Sequence, residues 1–276
     1  MTGWARSNFG DHRDGFDTLH AGLTVELMST PREHLQVCRA DDRVADVIEQ
    51  NIQNYDYLPV VRSVSDLKIL GLFHTKALPA GALQGDSVAQ NLIPLSEDTI
   101  IGADSSILEF VSDADQKPCR LVVSGASIVG LVSLSDLQRL PVRAALFALI
   151  TGFEITLLIA IRKWYRDEEE WLSSLSEGRR EILEQQKAAA LARDTLVEAL
   201  LFTQFSDKKQ LVLKKYRGKR SKASLKDALN KIERLRNFVA HANDYAPSPE
   251  QATEVCAVVR SLVELRSDIS VLVSDQ

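Results

Sequence analysis

Residues 29–78 read STPREHLQVCRADDRVADVIEQNIQNYDYLPVVRSVSDLKILGLFHTKAL, and residues 91–140 read NLIPLSEDTIIGADSSILEFVSDADQKPCRLVVSGASIVGLVSLSDLQRL. The two stretches carry one pattern. Each has a short strand, an acidic helix start (Ala40-Asp41-Asp42, then Ala103-Asp104-Ser105), an apolar-periodic helix and two short β-rich runs. The runs are Leu58–Val61 with Ile69–Phe73, and Leu121–Val123 with Ile128–Val132. A closing helix is expected near Lys76 and again near Asp136. Strands alternating with helices at this spacing predict an α/β unit used twice.

The second repeat contains Gly130-Leu131-Val132-Ser133-Leu134-Ser135-Asp136: Gly, two apolar residues, Ser or Thr, two residues, then Asp. With the repeat as a whole, over about residues 23–140, this motif resembles the CBS domain, and two in tandem resemble the paired (Bateman-type) module that binds adenosyl ligands. The resemblance implies that Asp136 accepts from ribose hydroxyls, which an ionised carboxylate can do for two at once. It implies that Ser133 donates to a phosphate or sugar oxygen. Ser-x-x-Asp is also a helix-capping pattern, which gives Ser133 or Ser135 a purely local role. The first repeat departs from the motif, reading Gly71-Leu72-Phe73-His74-Thr75-Lys76-Ala77. Ala77 has no acceptor, so the first cleft is expected to be degenerate.

The chain is 276 residues long, with 45% hydrophobic and 26% charged residues, a globular balance that excludes a fibrous or wholly disordered protein. Residues 1–22 read as a flexible N-terminal arm without periodicity and without the apolar core of a signal peptide, so the expected location is cytoplasmic. Cys38, Cys119 and Cys256 are odd in number and lack CxxC spacing, which argues against a disulfide framework or a structural metal site. Ala144–Ile161 is apolar apart from Glu154. A carboxylate at the centre of a membrane helix costs about 2.5–3.5 kcal/mol on insertion scales. The expected role is the centre of a bundle or a dimer interface, with membrane insertion as the alternative.

From residue 141 to 276 the pattern becomes all-helical, with helices expected at Val142–Arg166, Gly178–Phe205, Leu225–His241 and from Pro249 to about Leu272. Ser248 and Pro249 read as cap and first residue of the last helix, and Ser224–Asp227 as a capping-box start of the third. Four helices with short connections predict a bundle. The formal net charge is −5, yet Lys208–Arg236 holds eight Lys and four Arg against Asp227 and Glu233. Its densest part, read as a loop, offers Lys214, Lys215, Arg217, Lys219 and Arg220 as RNA-binding residues. A solvated surface is the other reading.

On a helical wheel Leu225, Leu229, Ile232, Leu235 and Val239 form one apolar stripe, with Arg236 in its middle. Glu233, Asn237 and His241 form a polar ridge at its edge. A guanidinium on an apolar face needs a partner or an exit to solvent, and Glu154 is a candidate partner. Arg236-Asn237-Phe238-Val239-Ala240-His241 resembles the Arg, four to six residues, His signature of HEPN domains, helical bundles that include metal-independent ribonucleases of toxin and defence systems. The resemblance covers about residues 141–276 and implies a homodimer with the cleft where two motifs face each other. It assigns His241 as general acid or base, Arg236 as phosphate holder and Asn237 as orienting group.

The expectation is thus a multidomain α/β plus all-α chain: a CBS-pair module followed by a HEPN-like four-helix bundle. The expected function is a nucleotide-regulated endoribonuclease cutting RNA by 2′-hydroxyl attack. No cofactor or metal is required for catalysis, and an adenosine-containing nucleotide is the regulatory ligand. The alternative is a non-catalytic CBS regulatory protein whose bundle is a dimerisation or RNA-binding scaffold.

Overall fold

The computed structural model describes residues 21–63, 68–77, 86–192, 198–241 and 243–275. The expected N-terminal arm therefore lies outside the described residues up to residue 20. So do residues 78–85, where the first closing helix was expected, and 193–197 of the expected second bundle helix. The chain divides into two compact units, one spanning His20–Val142 and the other running from Arg143 onward.

In the first unit the strands are β1 (Thr30–Pro31), β2 (Cys38–Arg39), β3 (Tyr57–Val61), β4 (Ile69–His74), β5 (Leu92–Pro94), β6 (Ile100–Gly102), β7 (Cys119–Ser124) and β8 (Ser127–Ser133). Helices α1 (Val44–Gln50) and α2 (Ile107–Asp113) follow β2 and β6. Two four-stranded sheets result, ordered β2-β3-β4-β5 and β1-β8-β7-β6. Each has a parallel pair (β2/β3, β6/β7) beside an antiparallel hairpin (β3/β4, β7/β8), and each hairpin shifts register at the same place, Val60/Val61 and Val122/Val123. The fourth strand of each sheet is exchanged. β1, at the start of the first repeat, pairs with β8, and β5, at the start of the second, pairs with β4.

Alternation along β3 explains how the first sheet uses both faces. Leu58 and Val60 join Val44, Val47, Phe73 and Val88 beneath α1. Val61 joins Ile69 and Leu72 on the opposite face, against Cys119 and Leu121 of the second sheet. Burying a Leu, Val or Phe side chain of this kind is worth roughly 1.5–3 kcal/mol. Close strand approach also accounts for the glycine of each motif. A Cβ on Gly130 would stand 2.7 Å from the Thr30 carbonyl of β1, and one on Gly71 would meet the Ile93 carbonyl of β5.

The second unit is helical: α3 (Leu140–Trp164, entering from the first unit), α4 (Glu168–Leu172), α5 (Glu177–Leu191), α6 (Phe205–Lys215), α7 (Lys222–Ala240) and α8 (Pro249–Ser274). Among the described residues the expected four helices are therefore six. Glu168–Leu172 is a separate short helix that starts on Asp167, whose carboxylate accepts from the Glu170 N–H. The expected Gly178–Phe205 ends as a helix at Leu191, and Phe205 begins a new one. The helix expected from Leu225 begins three residues earlier, because Ser221 rather than Ser224 is its cap and accepts from the Ser224 N–H at 3.2 Å. The Ser248 cap and Pro249 start of α8 are as expected. Near Asp136 the closing element is a 3-10 turn, Leu134–Gln138, just ahead of α3.

The apolar stripe of α7 is buried at Leu225, Leu229, Ile232, Leu235 and Val239. Along α3, Leu146, Leu149, Ile150, Phe153 and Leu157 are buried, whereas Leu140 is 76% and Phe147 56% exposed. Among the described residues α3 is the one helix long and apolar enough to cross a membrane, and half of its most apolar window is buried inside the protein.

Candidate functional site

Each unit gathers one set of the residues singled out above. In the first unit, β8 ends at Ser133, whose hydroxyl and main chain form a capping box with Asp136. The Asp136 Oδ2 accepts from the Ser133 N–H at 2.6 Å and from its hydroxyl at 3.0 Å, while Ser135 lies 2.8 Å from the same hydroxyl. Oδ1 pairs with the Arg139 Nε at 2.7 Å. Arg139 in turn donates to the Ser29 carbonyl at 3.0 Å and to the Thr30 hydroxyl at 2.7 Å, tying the start of β1 to this cluster. Asp136 is only 7% exposed. Burial pushes its carboxyl above the usual range, against the opposing pull of Arg139 and Ser133. The capping role and the implied ligand role thus fall on the same two residues.

The matching place in the first repeat is built differently. His74, where the motif has Ser or Thr, faces Tyr57 across the β3/β4 pair, and their rings stack with centroids 4.2 Å apart at 10°. Burial lowers the imidazole pKa, which Asp56 raises and Lys76 lowers further. Lys76 pairs with Asp56, and Ala77 is exposed. In the second repeat the corresponding cross-strand pair is Cys119 and Ser133. All three cysteines are buried and none forms a disulfide. Burial drives the Cys119 thiol far up, with Asp136 adding to it.

In the helical unit Arg236 does pair with Glu154, Nε to Oε1 at 3.4 Å. The guanidinium is 40% exposed, so it leans out of the apolar stripe rather than sitting within the core. The other Glu154 oxygen takes Lys208 at 3.2 Å, and the same ammonium donates to the Thr203 carbonyl at 2.8 Å. Lys208 is only 5% exposed, and sequence reading counted it among surface charges. Its one available signal was a position between the apolar Phe205 and Leu211 on the face α6 buries. The half-buried Glu154 carboxylate links α3 to α6 through Lys208 and to α7 through Arg236, and its charge offsets part of the desolvation cost of both cations.

Arg236 also donates to the Asn237 Oδ1 at 3.3 Å, bringing two motif residues into contact. His241 caps α7, its N–H bonded to the Asn237 carbonyl at 3.1 Å, and its side chain is exposed. Arg143 donates to the carbonyls of Phe238 and Val239 at 3.2 Å and of Asn243 at 2.8 Å. A cation on the last carbonyls of a helix satisfies orphan acceptors and opposes the helix dipole. Beside this end lies an open groove of about 390 Å³, lined among others by Asn230, Glu233, Arg234, Asn237, Phe238 and His241. Arg236 is not among its lining residues, so Asn237 is what connects the guanidinium to the groove.

The basic segment is less cationic than its sequence. Lys214 and Lys215 belong to α6 instead of a loop, because that helix runs on to Lys215. Lys215 pairs with Glu170 at 2.5 Å, and Arg220 with Glu264 at 2.9 Å. With Glu154, three carboxylates from outside the segment are set against it. Lys214 donates to the Ser174 carbonyl and Arg217 to the carbonyls of Lys214 and Tyr216, contacts that leave their charge in place. Lys219, Lys222 and Lys226 are exposed.

Solved structures similar to this chain include the CBS domain of a bacterial CNNM/CorC family Mg2+ transporter in complex with ATP, 19% identical, covering 45% of this chain and 90% of that one, with a TM-score of 0.37. The CBS-pair protein CBSX2 from Arabidopsis thaliana is 20% identical over 45% of this chain and 94% of its own, with a TM-score of 0.34. CBSX2 in complex with AMP is 23% identical over 45% and 96%, with a TM-score of 0.35. No family model and no curated protein matches the chain.

Proposed function

We propose that this chain is a regulatory protein in which a CBS-type pair of α/β repeats senses an adenine nucleotide and a helical domain binds RNA. The observation that carries the sensing half is the Ser133–Asp136–Arg139 cluster. It sets a carboxylate for ribose hydroxyls beside a guanidinium that can take phosphate. A ribose bound there shares the Asp136 carboxylate with Arg139. The motif of the first repeat has Ala77 in place of the acid, so one nucleotide per chain is expected. Isothermal titration calorimetry with AMP and ATP tests this on the full chain and on Asp136→Asn, which keeps the side-chain volume and one acceptor. Binding at one site, weakened on the order of 100-fold by the substitution, is the expected result. Equal affinity in both proteins overturns the assignment.

RNA binding rests on the exposed cations Lys214, Arg217, Lys219, Lys222 and Lys226. Lys215 and Arg220, spent on Glu170 and Glu264, contribute less.

One observation favours a second reading, RNA cleavage by the helical domain. Arg236, Asn237 and His241 lie together at the end of α7, with the Arg236 guanidinium on the Asn237 side-chain amide and His241 one helical turn beyond Asn237 on the same groove. In that reading His241 moves the 2′-hydroxyl proton and Arg236 steadies the phosphate. His241→Ala should then lower the rate by about 10²–10⁴. Cleavage that survives this exposed substitution leaves the domain as an RNA-binding scaffold.

A further inference from the structure

The groove at the end of α7 has lining residues beyond Asn237 and His241 that neither phosphate binding nor the Arg236–His241 series uses: Asn230, Glu233, Arg234 and Phe238. Asn230, Glu233, Asn237 and His241 are spaced three, four and four residues apart, which puts them on one face of the helix. Lys209 reaches this face from α6. It pairs with Glu233 and donates to the Asn230 Oδ1 at 3.0 Å. The Asn237 Oδ1 accepts from Arg236. In both amides the oxygen already accepts from a cation, and the NH₂ is the group that can donate to a ligand. Between them in sequence stands the Glu233 carboxylate, an acceptor whose charge Lys209 balances.

The groove accordingly reads donor, acceptor, donor along α7. Phe238 lies beside this ridge, with the Arg234 guanidinium 5.8 Å from its ring centroid. Aromatic and guanidinium planes are stacking platforms for unpaired bases. The volume is at the lower end of the roughly 300–1,000 Å³ range of small-ligand sites.

We infer that this groove is a base-recognition subsite for single-stranded RNA, selective for uracil, whose ring N–H stands between two carbonyls. The carboxylate accepts from the ring N–H, the amides donate to the flanking carbonyl oxygens, and Phe238 with Arg234 holds the ring plane. Cytosine, with a bare ring nitrogen in place of the N–H, sets a lone pair against the Glu233 carboxylate. The inference rests on reading the helical domain as RNA-binding, and it names the selectivity of that binding.

Fluorescence anisotropy of the full-length protein with labelled oligo-uridine and oligo-cytidine of equal length, at one fixed salt concentration, tests it. Oligo-uridine should bind about 10-fold more tightly, the size of one good polar base contact. Glu233→Gln should bring the two ligands within twofold of each other. Asn230→Ala, an exposed position, should narrow the gap as a second and independent variant. Phe238→Leu should weaken both ligands alike. Equal binding of the two in wild type, or a uridine preference untouched by both Glu233→Gln and Asn230→Ala, overturns the subsite and leaves RNA binding standing. Absence of binding to either RNA at low salt overturns RNA binding and the subsite with it.

Discussion

The two α/β repeats share a backbone and part company at the end of their antiparallel hairpins. In both, a glycine is forced by a neighbouring carbonyl, from β5 at Gly71 and from β1 at Gly130. Three residues further on, the demands of the fold relax. There the first repeat stacks His74 on Tyr57, and the second sets Ser133 opposite Cys119 and adds Asp136. Strand pairing constrains what lies between strands, and it leaves the hairpin end free to become either a packed aromatic pair or a polar cluster. One repeat ends its hairpin in stacked rings and the other in a polar cluster.

The sharpest way to break this comparison is the nucleotide. If Asp136 is the difference that matters, Asp136→Asn costs on the order of 100-fold in affinity by calorimetry, the scale of lost hydrogen bonds to a charged group. His74→Ser in the first repeat should change nothing in that titration. A second set of substitutions probes what the repeats share. Gly71→Ala and Gly130→Ala should each destabilise by roughly 1–3 kcal/mol, as overpacking does, because backbone carbonyls cannot yield as side chains can. Chemical denaturation that finds one glycine indifferent would show the repeats to be less alike than their strands.

The smallest effect is in the pH dependence of thermal unfolding. His74 has its pKa lowered by burial, so the fold favours its neutral form. Its contribution is present above the ordinary imidazole value of about 6.5 and is lost as pH falls through the lower, folded value. Asp136 has its pKa raised, so its contribution is present below the ordinary carboxylate value and is lost as pH rises through the folded one. Acid therefore weakens the first repeat at His74 and relieves the second at Asp136. His74→Phe should flatten the limb just below pH 6.5, and Asp136→Asn should leave that limb unchanged while altering the more acid one.

Much of this was readable from residues alone, where one interaction repeats at a fixed period. The runs Leu58–Val61 and Leu121–Val123 announce strands because alternate residues must meet two different surroundings. The α7 stripe announces a buried face for the same reason, and Arg236 in that stripe points to a partner such as Glu154. Ser133 and Asp136 were found through a local motif, and the capping box they form is itself local. Less was visible wherever a contact joins residues far apart. The exchange of β1 and β5 between sheets involves strands of two and three residues, too short for a pattern to say which hairpin they join. Lys208 looks like any other lysine in a basic run until α3 brings Glu154 to it.

Sequence by itself determined the doubled α/β unit, the helical second half, the inequality of the two motifs and the pairing need of Arg236. Each of these follows from the spacing of side chains along one strand, helix or turn. Only the tertiary structure decided which charges of the basic segment remain for a ligand. It also decided which strand closes each sheet, and that Asn230, Glu233 and Asn237 line one groove. The physical reason is range. Periodicity and capping act within a few residues, whereas Coulombic pairing and strand closure depend on distances that exist only once the chain has folded.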